Sequence, residues 1–242
     1  MNEYGPETYG ERISDIYDTF YPDVDSSTID FIFDLAHNGK VLELGIGTGR
    51  IALPLYKKGV NISGIDASPS MIKHLREKPD GKNIPVVFGD FSEVDISDRF
   101  DLIFIVFNTF YALTTQELQL KCIENVSTHL NDKGKFLIEA FVPDISRFDR
   151  SQTIRTTNIS TDEIRIDAST HDLMNQTIFS QHIAFTEKGT KLYPVKIRYV
   201  WPSELDLMAK LSGMKLLQRW GGWKKTPFNS QSGKHISVYE LG

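Results

Sequence analysis

Between residues 40 and 142, short apolar runs alternate with amphipathic stretches along the chain. This pattern is typical of parallel β-strands that are joined by crossover helices. The apolar runs are rich in β-branched and aromatic residues and contain few charges, as expected of strands buried on both faces of a sheet. We therefore predict five strands, at residues 40–44, 61–66, 85–88, 100–107 and 134–141.

The stretches between these strands carry helix signals. Ser68 stands directly before Pro69, which predicts a helix capped by the serine hydroxyl with the proline at its first position. Thr114 or Thr115 is predicted to cap the next helix. One face of that helix would consist of Leu118, Cys122, Val126 and Leu130. This alternation of strands and helices predicts a sheet with helices on both faces.

After residue 143 the apolar pattern changes to a period of two, in segments at 163–169, 177–186 and 191–201. Gly189 provides a hairpin turn between the last two segments. In the third segment, Lys196 and Arg198 are predicted to point away from an apolar face. That face would consist of Tyr193, Val195, Ile197, Tyr199 and Trp201. We predict a half-exposed antiparallel sheet that forms a flap on the main domain, with charged side chains protecting its edge.

The two ends of the chain complete the predicted fold. Before residue 39, five aromatic side chains stand among acidic residues, either in a helix over the carboxyl edge of the sheet or packed into the core. These are Tyr4, Tyr9, Tyr17, Phe20 and Tyr21. At the other end, Ser203 and Asp206 predict a helix start and Gly213 its end. Two closing strands follow, at 214–220 and 235–241.

Composition narrows the classes of function. Lys and Arg number 27 against 32 Asp and Glu, so the net charge of −5 gives no general attraction to nucleic acid. A single cysteine, Cys122, excludes an internal disulfide and a cysteine zinc site, and fits a reducing cytosol. The polar first residues and the short longest apolar run, 102–107, predict neither a secretion signal nor a membrane span. We expect a cytoplasmic protein with no membrane partner.

The strongest chemical signal is the sequence of residues 41–50, which begins in the first predicted strand. It contains Gly45, Gly47 and Gly49, whose missing Cβ atoms allow a sharp turn and the close approach of a ligand. A turn that binds a pyrophosphate usually has the spacing Gly-x-Gly-x-x-Gly. Here the spacing is Gly-x-Gly-x-Gly, and Glu43 disfavours a pyrophosphate but suits a cationic amino-acid group.

Two further acidic residues follow the next strands. Asp66 ends the second strand, where a carboxylate can accept hydrogen bonds from both ribose hydroxyls of an adenosine. Asp90 follows the third strand, where it could accept the adenine amino group while Phe91 flanks the ring. Because the carboxyl ends of neighbouring parallel strands meet at one edge of the sheet, the three signals are expected to form one site.

Residues 41–141, with this order of strands, resemble the class I S-adenosylmethionine-dependent methyltransferases. The resemblance implies an α/β fold with a Rossmann-like, mostly parallel seven-stranded sheet, helices on both faces, an N-terminal lid helix and the inserted antiparallel sheet. It implies one domain with a lid at 1–38, a cofactor-binding core at 39–145, an insertion over the substrate at 150–201 and closing elements at 202–242. The insertion is similar to that of aminosugar N,N-dimethyltransferases. Residues 209–240 are similar to enzymes that methylate the N-terminus of a modified peptide.

By this resemblance, the cofactor is S-adenosylmethionine, which becomes S-adenosylhomocysteine, and no metal is involved. The residues implied for cofactor binding are Tyr17, Tyr21, Glu43, Gly45, Gly47, Gly49, Asp66, Ala67, Met71, Gly89, Asp90, Phe91 and Phe107. Methyl transfer is an in-line displacement, so positioning of the reactants can supply much of the rate acceleration. The six histidines show no metal-ligand spacing, and a metal site is not predicted.

Three residues are candidates for the catalytic step. Asn108, at the end of the fourth strand, could orient an amine or a hydroxyl, or could cap a turn. Glu139 interrupts an apolar strand, so its carboxylate requires a partner, either the substrate or a structural arginine. Tyr17, together with Tyr21, could close over the positively charged sulfonium or pack into the core.

We expect methyl transfer to a nitrogen or oxygen of a small metabolite. Nitrogen is favoured because the sequence indicates no general base that would ionise a hydroxyl. One alternative is a peptide or protein N-terminal methyltransferase, which needs an open acidic groove. The others are a nicotinamide-dependent reductase, which the glycine spacing and Glu43 disfavour, and a non-catalytic cofactor-binding module. The antiparallel insertion would also allow a homodimer.

Overall fold

The computed structural model describes residues 4–22, 24–93 and 96–242. Residues 1–3 and 23, which belong to the predicted lid region, lie outside the described residues. The helices are α1 (Thr8–Phe20), α2 (Ser26–Ala36), α3 (Ala52–Lys57), α4 (Pro69–Glu77), α5 (Gln116–His129) and α6 (Pro202–Leu211). The strands are β1 (Lys40–Leu44), β2 (Asn61–Asp66), β3 (Val86–Phe88), β4 (Phe100–Ile105), β5 (Leu130–Phe141), β6 (Gln152–Ile159), β7 (Glu163–Asp172), β8 (Thr177–Thr186), β9 (Gly189–Arg198), β10 (Met214–Gly222), β11 (Thr226–Pro227) and β12 (Lys234–Leu241).

The main sheet has the strand order β3-β2-β1-β4-β5-β12-β10-β11. Strands β1 to β5 pair in parallel, and the last three are antiparallel to their neighbours, which confirms the predicted Rossmann-like sheet. The sheet has eight strands rather than seven because β11, with two residues, is too short to produce a pattern in the sequence. Along β4, Leu102 and Phe104 face one apolar core cluster while Ile103 and Ile105 face another, as the alternation of a buried strand requires.

The helix starts follow the sequence signals with one exception. The Ser68 hydroxyl accepts a hydrogen bond from the backbone N–H of Met71 (3.1 Å), and Pro69 is the first residue of α4. Thr115, rather than Thr114, caps α5. Helix α6 begins at Pro202 and not at the predicted serine that follows it. The fixed φ of proline suits the first helical position, where its missing N–H removes no hydrogen bond.

The insertion is a four-stranded antiparallel sheet in the order β6-β7-β8-β9, with one strand more than predicted. The sequence of β6 is mainly polar, and its isoleucines, Ile154 and Ile159, are 75% and 74% exposed, so no buried apolar face marked this strand. The β8–β9 hairpin turns through residues 187–188, and Gly189 is the first residue of β9. Strand β9 packs on α1, so the insertion lies beside the predicted lid.

The prediction that Arg198 points away from the buried side is wrong. Its guanidinium is buried and donates to Glu204 Oε1 (2.8 Å) and to Gln119 Oε1 (2.5 Å). The alternation of side chains along β9 predicts that Arg198 faces solvent. At the end of this strand, however, α5 and α6 lie on that side, so Arg198 is buried between the strand and these two helices. Burial raises the pKa of Glu204, but the hydrogen bonds from Gln176 and Arg198 outweigh burial and hold that pKa below its usual range. Lys196 is exposed, as predicted.

Candidate active site

A cavity of about 290 Å³, called here the edge cavity, lies at the carboxyl ends of the parallel strands. The turns after β1, β2 and β3 contribute Gly45, Asp66 and Asp90 to its wall, and α1 contributes Tyr9 and Tyr17. Open α/β sheets bind their ligands at this edge. The structure therefore brings the three separate sequence signals together around one cavity.

Glycines shape the turn after β1. Gly45, Gly47 and Gly49 have φ angles of 73°, 53° and 79°, which side chains with a Cβ rarely adopt. A Cβ on Gly45 would lie 2.5 Å from Thr109 Cγ2, and a Cβ on Gly49 would lie 2.4 Å from Leu75 Cδ1. A Cβ on Gly47 would meet no atom of the described residues within 4 Å, so its backbone angle and the approach of a ligand are what require glycine there. Gly49 serves the packing of α3 against α4.

Glu43 is buried at the end of β1, with 4% of its surface exposed. Its carboxylate accepts a hydrogen bond from the backbone N–H of Ala52, whereas Oε2 has no partner among residues 4–22, 24–93 and 96–242. Burial raises the pKa of Glu43 well above its usual range, Arg50 opposes this shift and Asp66 adds to it. A buried carboxylate oxygen without a partner is costly, and a cationic N–H group of a ligand would relieve that cost.

Asp66 lines the edge cavity and is held by the backbone on both sides. Its Oδ2 accepts from the N–H of Gly47 (2.7 Å) and its Oδ1 from the N–H of Ser68 (2.8 Å). Burial raises the pKa of Asp66, and these two hydrogen bonds oppose the shift. A carboxylate has about four lone-pair sites, so both oxygens can still accept hydrogen bonds from a ligand diol.

Apolar side chains form another part of the wall. These are Phe91, Met71, Leu113 and Leu118, and Asp90 also lines the cavity. The Asp90 carboxylate is fixed by the backbone N–H of residue 92 (2.8 Å), an Asx turn that holds it after β3. Apolar walls with one fixed polar group suit a planar heteroaromatic ring with an amino substituent.

Helix α1 forms the roof of the edge cavity and is fastened to the core at two points. Glu11 accepts a hydrogen bond from the Ser68 hydroxyl at the start of α4 (2.6 Å). Further along the helix, Asp18 accepts from the Thr48 hydroxyl (2.7 Å) and pairs with Lys78 (2.6 Å). Burial raises the pKa of both carboxyls, but the partners outweigh burial and hold each pKa below its usual range. These contacts join residues far apart in the sequence, so no local pattern indicated them.

Aromatic rings pack around Tyr17, which lines the edge cavity. The rings of Tyr17 and Tyr21 are 5.1 Å apart, and those of Tyr21 and Phe107 are 4.9 Å apart. The guanidinium of Arg50 lies 4.3 Å from the centre of the Phe107 ring and hydrogen-bonds to the Tyr17 hydroxyl. Burial raises the pKa of Tyr17 to about 12, against the opposing effect of Arg50, so the phenol is neutral near pH 7.

Asn108 and Glu139 hold a strained turn at the end of β4. Phe107 and Asn108 have φ angles of 60° and 63°, which ends the strand two residues before the predicted position. Glu139 accepts hydrogen bonds from the Phe107 N–H (2.6 Å) and from Lys234 Nζ (2.9 Å). The prediction that its partner is the substrate or an arginine is therefore wrong, because the partners are a main-chain amide and a lysine. Asn108 Oδ1 accepts from the N–H of Phe141 (2.7 Å). Both side chains thus support the backbone, and neither lines the edge cavity.

The predicted site residues divide into two sets. The wall of the edge cavity contains Tyr17, Gly45, Gly47, Asp66, Ala67, Met71, Asp90 and Phe91. Outside that wall lie Tyr21, Glu43, Gly49, Gly89, Phe107, Asn108 and Glu139. The N–H of Gly89 donates to the carbonyl of Asp66 (3.0 Å), so this glycine continues the pairing of β3 with β2. Tyr4, Tyr9 and Thr109 also line the cavity, but they were not among the predicted site residues. The two tyrosines had been noted only as aromatic residues of the lid region.

Three further features of the chain bear on its chemistry. No helix within the described ranges is long and apolar enough to cross a membrane. In the same part of the chain, no group of three or more His, Cys, Asp and Glu side chains is arranged to hold a metal ion. Cys122 is completely buried, and burial raises the pKa of its thiol, so it acts as core packing rather than as a nucleophile.

Comparison with known proteins gives consistent results. A family model described as a methyltransferase domain matches residues 41–134. The structure of the CcbJ methyltransferase from Streptomyces caelestis superposes with a TM-score of 0.92 at 33% identity, covering 99% of this chain and 100% of that one. The cypemycin N-terminal methyltransferase of a Streptomyces species is 25% identical over 203 residues, or 83% of this chain and 82% of that protein.

A third relative shows the shared fold with its cofactor. The S-adenosylmethionine-bound structure of CalS10, an amino pentose methyltransferase from Micromonospora echinaspora, has a TM-score of 0.66 at 16% identity and covers 99% of this chain and 92% of that one. The similarity to CcbJ extends over both full chains, which includes the lid and the insertion. These findings confirm the resemblance seen in the glycine turn and exclude the reductase and the non-catalytic module. The chain belongs to the class I family of S-adenosylmethionine-dependent methyltransferases.

Proposed function

We propose that this methyltransferase acts on a nitrogen of a small acceptor molecule. The observation that carries the proposal is the roof over the edge cavity: α1 is fastened by Glu11 and Asp18 at separate points, and the insertion packs beside it. A helix that is held over the edge cavity at two points restricts access to it, which favours a small acceptor over a folded protein chain. Nitrogen is supported by the amino pentose methyltransferase and the N-terminal methyltransferase among the relatives.

The walls of the edge cavity fit S-adenosylmethionine, which supplies an electrophilic methyl group on a sulfonium when bound. Glu43 lies outside the wall of the edge cavity, but its buried Oε2, which has no partner among the described residues, would accept the ammonium of the methionine part. Asp66 would accept both ribose hydroxyls. Asp90 and Phe91 would hold the adenine by its amino group and its face. Gly47 would leave its backbone open to the ligand.

Tyr17, in the wall of the edge cavity, would face the sulfonium. Tyr17 stays protonated near pH 7 because its pKa is about 12, so its ring can face a cation while its hydroxyl bonds to Arg50. Tyr21 packs against Tyr17 and Phe107, which fixes the orientation of this wall. The part of these residues is therefore to position and shield the reacting atoms. Glu139 and Lys234 support the same wall through the backbone of Phe107.

A second candidate function is methylation of the N-terminus of a peptide. The similarity to the cypemycin enzyme over 83% of this chain favours it. A peptide terminus would have to enter as an extended strand between α1 and the insertion.

Calorimetry and a transfer assay test the proposal in sequence. We expect S-adenosylhomocysteine to bind the wild-type protein tightly and NADH to show no binding. Tritiated S-adenosylmethionine is then incubated with a panel of small amines, the matching alcohols, and short peptides with free or acetylated N-termini. We expect label in the small amines. The Asp66→Asn variant should weaken binding of S-adenosylhomocysteine about tenfold or more, because charge-assisted hydrogen bonds to the ribose are lost.

The outcomes separate the two candidates. Label confined to peptides with a free N-terminus would replace the small acceptor by a peptide, and label in alcohols alone would refute the assignment to nitrogen. Undiminished binding of S-adenosylhomocysteine by Asp66→Asn would contradict the proposed cofactor site. An exposed Asp132→Asn variant, at the opposite end of the sheet, is the matched control.

A further inference from the structure

A second cavity, of about 340 Å³, lies between the end of α1 and the antiparallel insertion. We call it the insertion cavity. Its wall contains Phe20 and Tyr21 from α1, Arg155 and Thr157 from β6, Arg165 and Asp167 from β7, and His182, Ile183 and Ala184 from β8. It thus combines an aromatic side with a charged side, and the charged residues are distinct from those that form the edge cavity.

The walls of the two cavities meet at a pair of aromatic rings. Tyr17 lines the edge cavity, Tyr21 lines the insertion cavity, and the centres of their rings are 5.1 Å apart. Tyr21 also contacts Phe107, at the end of β4. A molecule in the insertion cavity would therefore lie next to Tyr21, whose ring packs against Tyr17 in the wall of the edge cavity.

The charged side of the insertion cavity is built around a buried carboxylate. Asp167 has 7% of its surface exposed, its Oδ1 contacts Nδ1 of His182, and its Oδ2 accepts from Arg155 Nη2 (3.2 Å). Burial raises the pKa of Asp167, but His182 and Arg155 outweigh burial and hold the pKa below its usual range. An ionised carboxylate only accepts hydrogen bonds, so Nδ1 of His182 carries the proton. Nε2 is then the basic nitrogen, left to a ligand in the cavity.

Another charged side chain in this wall, that of Arg165, has a partner among the described residues for only part of its guanidinium group. Arg165 pairs with Glu163 (2.7 Å), and its guanidinium stacks 3.7 Å from the centre of the Phe20 ring. Its Nε is buried and has no hydrogen-bond partner within the described part of the chain. Tyr193, on β9, pairs with His182 across the sheet. The cavity therefore offers a basic nitrogen and an unfilled N–H donor, which suits a polar amine that also carries an oxygen acceptor.

We propose that the insertion cavity receives the methyl acceptor and that Nε2 of His182 removes a proton from its nitrogen, with Asp167 fixing the imidazole. The inference rests on the proposed function and names the acceptor site and the base for it. An acceptor ammonium gives one proton to Nε2 and becomes a neutral amine. The nitrogen lone pair then forms the N–C bond while the C–S bond of the cofactor breaks, and the bonding electrons remain on sulfur. The sequence showed six histidines without a distinguishing pattern, and only the pairing of β7 with β8 gives this one a carboxylate.

A tethered amine tests the proposal without knowledge of the natural acceptor. Cys122 is buried, so a new cysteine at Thr157→Cys, on the rim of the insertion cavity, can be labelled selectively with cystamine. The resulting mixed disulfide carries a primary amine on a short flexible arm. Thr128→Cys is the matched control, since Thr128 is exposed near the end of α5, directly before β5 begins at the opposite edge of the sheet. Each labelled protein is incubated with S-adenosylmethionine, and mass spectrometry follows the gain of one methyl group on the arm.

We expect methylation of the arm at position 157 and none at position 128. In the Thr157→Cys background, His182→Gln should lower the rate about 100-fold, the lower range for a positioned general base. Asp167→Asn should lower it as well, because an amide no longer enforces the tautomer. His37→Gln, in the exposed turn after α2, should leave the rate unchanged. Calorimetry with S-adenosylhomocysteine checks that each variant is folded.

Each result decides a separate point. If S-adenosylhomocysteine binds but the arm at position 157 is not methylated, the insertion cavity is not the acceptor site, and the cofactor assignment stands. If the arm is methylated equally fast in His182→Gln and Asp167→Asn, the assignment of the base is refuted. Failure of the unlabelled wild-type protein to bind S-adenosylhomocysteine would overturn the proposed function, and this inference with it. If one of these two variants does not bind S-adenosylhomocysteine, it is misfolded. The other variant then tests whether His182 is the base.

Discussion

Replacement of Glu43 by glutamine should have opposite effects on stability and on cofactor affinity. The wild-type carboxylate is 4% exposed, and its Oε2 atom has no hydrogen-bond partner among the described residues. Leaving such a group buried without a partner costs about 1–3 kcal/mol, and the cost is smaller for a neutral amide than for a carboxylate. We therefore expect Glu43→Gln to stabilise the ligand-free protein by about 1 kcal/mol, which corresponds to a rise of about 2–4 °C in Tm for a chain of this size.

The same substitution should weaken cofactor binding. A hydrogen bond to a charged partner contributes about 1.5–3 kcal/mol, so loss of the charge on Glu43 should raise the Kd for S-adenosylhomocysteine about 10-fold to 100-fold. Thermal unfolding without ligand measures the first effect and calorimetry measures the second. Glu77→Gln, on the exposed side of α4, is the control that should change neither.

The pH dependence provides an independent check on Glu43. Burial raises its pKa in the folded protein, so the protonated form stabilises the fold below the pKa of the unfolded chain, and this stabilisation is lost as the pH rises through the folded-state value. The stability difference between wild type and Glu43→Gln should accordingly shrink as the pH is lowered towards 4. A glutamine variant that is less stable than wild type at pH 7, or that binds S-adenosylhomocysteine equally tightly, would refute the reasoning.

Three further predictions follow from contacts outside the cavity walls. Arg198→Met should lower the free energy of unfolding in urea by about 1–3 kcal/mol because it removes the charged hydrogen bonds to Glu204 and Gln119; an unchanged midpoint would contradict this. Burial lowers the pKa of His235 to about 4, so the protein should lose about 3 kcal/mol as the pH falls from 6.5 to 4, and His235→Asn should remove most of this dependence. Glu11→Gln should speed dissociation of S-adenosylhomocysteine about tenfold in stopped flow, and equal rates would show that this contact does not hold the lid.

Much of the wall of the edge cavity could be predicted because its parts are local in the sequence. Gly45, Asp66 and Asp90 each follow a strand directly, and parallel strands bring their carboxyl ends to one edge. The aromatic residues of the lid were also recognisable, since five of them occur within the first 21 residues. The prediction was less successful where one local signal had two explanations. Asn108 was weighed as an acceptor ligand or a turn residue, and its side chain is bonded to the N–H of Phe141.

Contacts between distant segments account for the features that were missed. Glu11 and Ser68 are 57 positions apart, and Glu139 and Lys234 are 95 apart, so neither pairing leaves a local trace. Strand β6 was missed because a polar strand at the edge of an exposed sheet has no buried face to produce alternation. Arg198 was misplaced because the period of a strand predicts the side to which a residue points, but not what lies on that side.

The sequence by itself determined the architecture of the main sheet and the edge at which the cofactor site forms. Strand burial, helix caps and glycine conformation are properties of short segments, and they act before distant parts of the chain meet. The tertiary structure alone decided how the lid is fastened and that His182 contacts the buried carboxylate of Asp167. It also made Glu139 a support for the backbone rather than a group exposed to the acceptor. These outcomes depend on the register between strands and on the packing of whole elements, and the free energy of each contact exists only when both partners are in place.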